Sequence, residues 1–245
     1  MQNPLPDAVD PGLVRGALVI KLRHHGDVLL ASPVFTALKS AVPAARIDAL
    51  VYLETAPMLE DHPAIERIHT IDREWKRQGM LTQLRAERVL MAALRERRYD
   101  LVVHLTEHRR GAWITRMLKP RYSVARHMEH RRWLWQTTFT HYFRLPRTTP
   151  RHTVECNLDS LRRIGFQPAP KDRSLVLVPG DAADQRVRAL LDQHGLRPHG
   201  FIQIHPGSRW LFKCWSIDNY AATIDRLTRE NWRTVITGAA DPREQ

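Results

Sequence analysis

The sequence predicts an α/β protein built from parallel βα units. Short apolar runs alternate along the chain with stretches of helical periodicity. The runs Ala17–Leu22 and Leu101–Leu105 are continuous and mostly apolar without alternation, as suits strands covered on both faces. The series is also interrupted twice by proline-rich sequence, around Pro146–Thr153 and at Gln167–Arg173. Two domains are therefore expected, residues 1–165 and residues 166–245.

Ala17–Leu22 reads as the first buried strand. The helix behind it, with Val34, Phe35, Leu38 and Val42 on one side, starts either at Gly26 or at the Ser32-Pro33 cap signal. Ile47–Tyr52 and Ile65–Ile71 read as strands, and Leu81–Arg98 as a long helix whose apolar residues sit among many charges. Leu101–Leu105 is the next strand, Arg109–Leu118 a helix, and Val154–Ile164 a helix linking the domains. A second series follows: strand Ser174–Val178, helix Asp181–His194, strand Phe201–His205, a helix behind Ser216 as N-cap, and strand Thr234–Thr237. Three strands are few for a doubly wound domain, so the second is expected to be incomplete.

Composition narrows the partners. The chain has 245 residues and a net charge of +12, from 38 basic against 26 acidic side chains. That balance favours an anionic partner, whether nucleic acid, anionic lipid or a phosphorylated substrate. No apolar run approaches the roughly 20 residues that cross a bilayer. Met1–Gly16 lacks a basic region followed by an apolar stretch, and no signal peptide is expected there. Cys156 and Cys214 fit no metal spacing and are expected to be reduced, mostly buried thiols.

Two loops carry candidate chemistry. Lys21-Leu22-Arg23-His24-His25-Gly26-Asp27 follows the first strand, where ligands of open α/β sheets collect. Gly26 permits a tight turn and close approach of a substrate, and Asp27 can take a proton from an acceptor hydroxyl. On spacing alone the helix-start reading of Asp27 is the better one, because Gly-Asp is a common turn dipeptide. The second loop runs from His205 through Gly207 and Ser208 to Lys213. Its backbone N–H groups and lysine suit a diphosphate, and the ordinary alternative is a βα turn with a solvated lysine. Trp210, Phe212 and Trp215 are expected to pack a wall of that site. His24, His25, His104, His108, His127 and His130 fit no zinc pattern and are expected on the surface or against substrate. The middle third is strongly basic: Arg109, Arg110, Arg116, Lys119, Arg121, Arg126, His130, Arg131 and Arg132 suggest an anion-binding rim, and the ordinary alternative for several of them is a solvated face. Trp133, Trp135, Phe139, Tyr142 and Phe143 interleave with these charges, which keeps a nucleic-acid-binding face in play.

Three pieces in order resemble one family: Lys21 through Gly26-Asp27-Val28-Leu29 to Pro33, Tyr99-Asp100-Leu101-Val102-Val103-His104-Leu105-Thr106, and His205-Pro206-Gly207-Ser208-Arg209 with Lys213-Cys214-Trp215. They are similar to the ADP-heptose:lipopolysaccharide heptosyltransferases of glycosyltransferase family 9, and within these to the heptosyltransferase III type. The resemblance implies a GT-B architecture of two Rossmann-like domains, the first binding the acceptor and the second the nucleotide sugar. It implies inverting, metal-independent transfer of heptose from ADP-heptose to the lipopolysaccharide inner core at the cytoplasmic face of the inner membrane, with no cofactor and no nucleic acid. Asp27 falls on the catalytic aspartate, and Gly207, Ser208 and Lys213 on the donor phosphate site. Glu244 falls on the ribose contact, and Arg23, Gly26, Arg109, Arg110, Arg131 and Arg132 are expected to hold the acceptor. Family chains continue past Gln245 through a further Asp- and Gly-containing nucleotide motif, so this chain is expected to be truncated and inactive by itself. The rival readings are a GT-B transferase using another nucleotide sugar and a basic nucleic-acid-binding protein.

Overall fold

A computed structural model describes residues 5–129, 133–145, 151–208 and 210–238. It has the expected α/β class, in two compact units, Met1–Pro179 and Gly180–Gln245.

The first unit opens with β1 (Gly16–Ile20). Both expected helix starts are used: α1 covers His25–Leu29, and α2 covers Ser32–Ala41 with Pro33 in its first turn. Next come β2 (Arg46–Tyr52), β3 (Arg67–Ile71), α3 (Met80–Glu96), β4 (Leu101–His104) and α4 (Arg109–Leu118). The unit continues with β5 (Tyr122–Arg126), α5 (Trp133–Gln136), β6 (His141–Phe143) and α6 (Thr153–Arg163). The strands form one six-stranded sheet in the order β3-β2-β1-β4-β5-β6, every neighbouring pair parallel. This is the Rossmann order, and the direction of winding reverses between β1 and β4.

Alternation along β1 assigns its side chains to two cores. Ala17 and Val19 pack with Val34, Phe35, Leu38, Leu158 and Leu161 under α2 and α6. Leu18 and Ile20 pack with Leu90, Met91, Leu94 and Ile114 under α3 and α4. A side chain such as Phe35 or Leu38, fully buried here, contributes about 1.5–3 kcal/mol. Because both faces are covered, β1 reads as an unbroken apolar run.

Two strands escape the apolar-run criterion. β5 is Tyr-Ser-Val-Ala-Arg, and Ser123 within it exchanges hydrogen bonds with Thr140. β6 has only three residues. Conversely, Ser174–Val178 is not a strand. This segment is anchored to α2, where the Val176 N–H donates to Ser32 Oγ at 3.0 Å and Ser40 Oγ donates to Asp172 Oδ1 at 3.0 Å. Those bonds hold this segment to the first unit, which as a compact unit runs to Pro179.

The second unit contains α7 (Asp181–Gln193), β7 (Phe201–Ile204), α8 (Ile217–Arg229) and β8 (Arg233–Ile236). Strands β7 and β8 pair in parallel, with Ile202 opposite Thr234. Ser216 caps α8 as expected, accepting from the Asn219 N–H at 3.3 Å. Among the described residues this sheet has two strands, not three, and no residue of the unit is buried.

Candidate functional site

At the carboxyl ends of β1 and β4, where the winding reverses, the first unit has a cavity of about 230 Å³. Arg23 and Asp27 from the loop after β1 line it, with Thr106 and Glu107 after β4, Arg126 from β5 and Cys156 and Asn157 from α6. Asp27 lies in the first turn of α1; the cap residue is His24. Gly26 shows no left-handed φ, and a Cβ there would meet nothing within 4 Å. The turn therefore does not demand glycine, and the open space above Gly26 suits an approaching ligand.

Lys21 closes the floor of the cavity, and sequence reasoning gave it no role. Its side chain is buried, and Nζ donates to Leu105 O at 3.2 Å and to Asn157 Oδ1 at 3.1 Å. Asn157 in turn donates from Nδ2 to Leu30 O at 2.8 Å. One chain of bonds thus fixes the ends of β1 and β4, α6 and the residue closing α1. Burial pulls the Lys21 ammonium down to about 8, partly opposed by the nearby Asp27 carboxylate. The signal that could have found it is a lysine at the very end of an otherwise wholly apolar strand. A charge there needs partners.

Glu107 accepts from Arg126 Nη1 across the mouth of the cavity. Arg109 is the exposed first residue of α4 and does not line this cavity. Arg110 turns to α3, where Nη2 meets Glu87 Oε1 at 2.6 Å and the guanidinium lies 5.7 Å from the Trp75 ring. Of the basic residues expected to form a rim, Arg126 lines the cavity and Arg110 does not. Arg131, Arg132 and Glu244 lie outside the described residues.

Three other expectations are corrected. His104 is neither on the surface nor open to substrate: it is fully buried between Trp135 and Phe139, with ring centroids at 5.4 and 5.3 Å. Burial depresses its imidazole to about 3, so it is neutral. Trp135, Phe139 and Phe143 are buried too and Tyr142 is half-buried; Trp133 is exposed, so the interleaved aromatics do not form a continuous exposed face for stacking bases. Cys156 and Cys214 are free thiols, half-buried rather than buried.

In the second unit, Gly207, Ser208 and Lys213 all fall in the connection from β7 to α8. Ser208 Oγ accepts from the Trp210 N–H at 3.3 Å. Lys213 ends a 3-10 turn at Leu211–Lys213; it is exposed, with Nζ 5.9 Å from the Phe212 ring centroid. His205 Nδ1 lies 3.2 Å from Thr237 Oγ1, tying the loop to the end of β8. Trp210, Phe212 and Trp215 stand exposed instead of walling a pocket.

The sequence pattern described as glycosyltransferase family 9 (heptosyltransferase) matches residues 88–245. Lipopolysaccharide heptosyltransferase 3 of Escherichia coli (strain K12) is 32% identical over 217 residues, which are 88% of this chain and 61% of that protein. The chain therefore spans about three fifths of the length of that relative. Among solved structures, a glycosyl transferase family 9 protein from Veillonella parvula superposes with a TM-score of 0.79 at 20% identity, over 97% of this chain and 64% of that one. Escherichia coli heptosyltransferase WaaC with ADP-2-deoxy-2-fluoro heptose gives 0.69 at 18% identity, over 94% of this chain and 70% of that one. These two likenesses establish a shared fold.

Proposed function

The chain belongs to glycosyltransferase family 9, the heptosyltransferases, and on that premise we propose that it transfers heptose from ADP-heptose to the inner core of lipopolysaccharide. The observation that carries this reading is the cavity at the β1/β4 reversal, lined by Asp27, a buried lysine and an arginine–glutamate pair. The bound ADP-sugar analogue of WaaC and the name of the Escherichia coli relative support the choice of donor and acceptor.

Each unit supplies a distinct part of the reaction. Asp27 accepts the proton of an acceptor hydroxyl as that oxygen forms its bond to the anomeric carbon. The bond from that carbon to the diphosphate breaks from the opposite side, so the configuration inverts and ADP leaves with the electron pair. Lys213 and the backbone N–H groups around Gly207 and Ser208 stabilise the charge growing on the diphosphate, a task that a metal performs in other transferases. Arg23 and Arg126, at the cavity of the first unit, attract acidic or phosphorylated sugars of the acceptor. This chemistry acts on a lipid-linked acceptor at the cytoplasmic face of the inner membrane.

Asp27→Asn tests the reading in the polypeptide as the cell makes it. Removing a general base costs about 10²–10⁴-fold in rate. ADP release in the presence of purified inner-core acceptor is expected to fall by that factor while acceptor binding persists. Near-normal turnover would refute the assignment of Asp27.

A further inference from the structure

The amphipathic stripe of α3 runs on past the body it packs against. Met80, Leu84 and Met91, spaced four and seven residues apart, lie along one face. Met91 at the far end is buried in the core, together with Leu90 and Leu94. At the near end Met80 and Leu81 are 83% and 82% exposed, and Leu84 is exposed as well. The first two turns thus present three large apolar side chains that no described residue of the first unit covers. Arg77, Arg85 and Arg88 are exposed around them. Beside this patch the edge strand β3 and α3 enclose a largely apolar hollow of about 540 Å³, with Trp75 and Val89 in its lining.

We infer that the amino-terminal turns of α3 dock onto the surface of an anionic lipid bilayer. The chemistry of the patch is that of an interfacial helix: apolar side chains to enter the acyl boundary, and arginines for the headgroup phosphates. The overall charge of +12 acts in the same sense. Among the described residues no helix is long and apolar enough to cross a membrane, so the contact lies on the surface. Placement agrees. A helix linking parallel strands runs antiparallel to them, so the start of α3 lies at the carboxyl ends of the strands, the same edge of the sheet as Asp27 and Lys21. Docking there would turn the cavity toward the lipid surface. The inference does not depend on the reaction proposed above, because binding to plain vesicles reads it directly.

Flotation of the whole chain with two vesicle types is the test. One is phosphatidylethanolamine with about a third phosphatidylglycerol, carrying the anionic surface the arginines require; the other is phosphatidylcholine alone. The chain is expected to float with the first and much less with the second. Replacing Met80, Leu81 and Leu84 by serine is expected to lower the vesicle affinity at least about tenfold, and Arg85→Ser with Arg88→Ser to weaken it and remove its salt dependence. Leu81→Trp supplies a reading free of folding effects, since its fluorescence is expected to shift blue on vesicles. Equal flotation of the wild type and the serine variant would overturn the inference, placing the contact elsewhere on the basic surface. It would also be overturned by a wild type that does not float but forms a dimer which the serine variant loses, since the patch would then serve a second copy.

Discussion

A single buried ammonium decides the electrostatics of the cavity. Lys21 keeps its proton up to about pH 8, and the neutral form takes over above that, because burial penalises the charge. One of the positive charges at the cavity, the one near Asp27, is therefore lost as pH rises through about 8, while Arg23 and the Glu107-paired Arg126 keep theirs. The catalytic efficiency of the natural protein is expected to decline above that pH, and Lys21→Met to flatten this alkaline limb while lowering the plateau. A pH profile of kcat/KM for both proteins measures it; an unchanged limb in the variant would assign the limb to another group. Gly111 is fixed for a different reason. A Cβ at this position of α4 would lie 2.1 Å from Nε2 of His104, whose ring is itself enclosed by Trp135 and Phe139. Gly111→Ala is expected to destabilise by about 1–3 kcal/mol through overpacking, read from the urea midpoint. A loss below half a kcal/mol would mean the ring has room to move.

Elements are joined by a buried carboxylate. Asp48 on β2 is fully buried and receives two bonds from Arg97, at 2.7 and 2.9 Å, and one from the Tyr99 hydroxyl at 2.6 Å. His69 of β3 approaches it at 3.6 Å, and Arg97 also reaches Glu66 at 2.7 Å. β2, β3 and the end of α3 are thereby locked in register. Burial alone would raise the Asp48 carboxyl, but the bonds from His69, Arg97 and Tyr99 outweigh it and hold it at about 2. A carboxyl depressed by folding contributes stability above its unfolded value of about 3.9. That contribution is lost as pH falls through about 2. Arg97→Ala leaves the charge buried with weaker partners and is expected to cost about 3 kcal/mol at neutral pH. The wild type should also lose stability between about pH 4 and pH 2 more steeply than the variant. Urea titrations across that range that run parallel for the two proteins would refute the coupling.

At the scale of the molecule the two units differ in how much they bury. The first has two large cores on either face of its sheet. In the second, Ile217, Phe212 and Trp215 are exposed, and its two-stranded sheet gives little shelter. Local opening costs least where few apolar contacts are buried. Limited proteolysis is therefore expected to remove the second unit first and leave a resistant fragment ending near Pro179, with slow amide exchange in β1, β2 and β4. Cleavage within the first unit at a comparable rate would contradict that ranking.

The sequence by itself determined the α/β class, the family and most elements of the first sheet, because strands covered on both faces must be apolar throughout, as Ala17–Ile20 and Leu101–Val103 are. It also allowed Asp27, Gly207, Ser208 and Lys213 to be proposed as site residues, through the family resemblance and their places after strands. It did not reveal β5, where Ser123 satisfies its strand through Thr140, or the misread Ser174–Val178, whose apolar character serves docking onto α2. Arg110 and Arg126 are equally basic in sequence, and only the fold sends one to Glu87 and the other to the cavity. Lys21 gained its role in the same way. Its partners, Leu105 and Asn157, are 84 and 136 residues away, and no local pattern encodes a bond across that distance. Periodicity records which face is buried; tertiary packing decides which charge meets which.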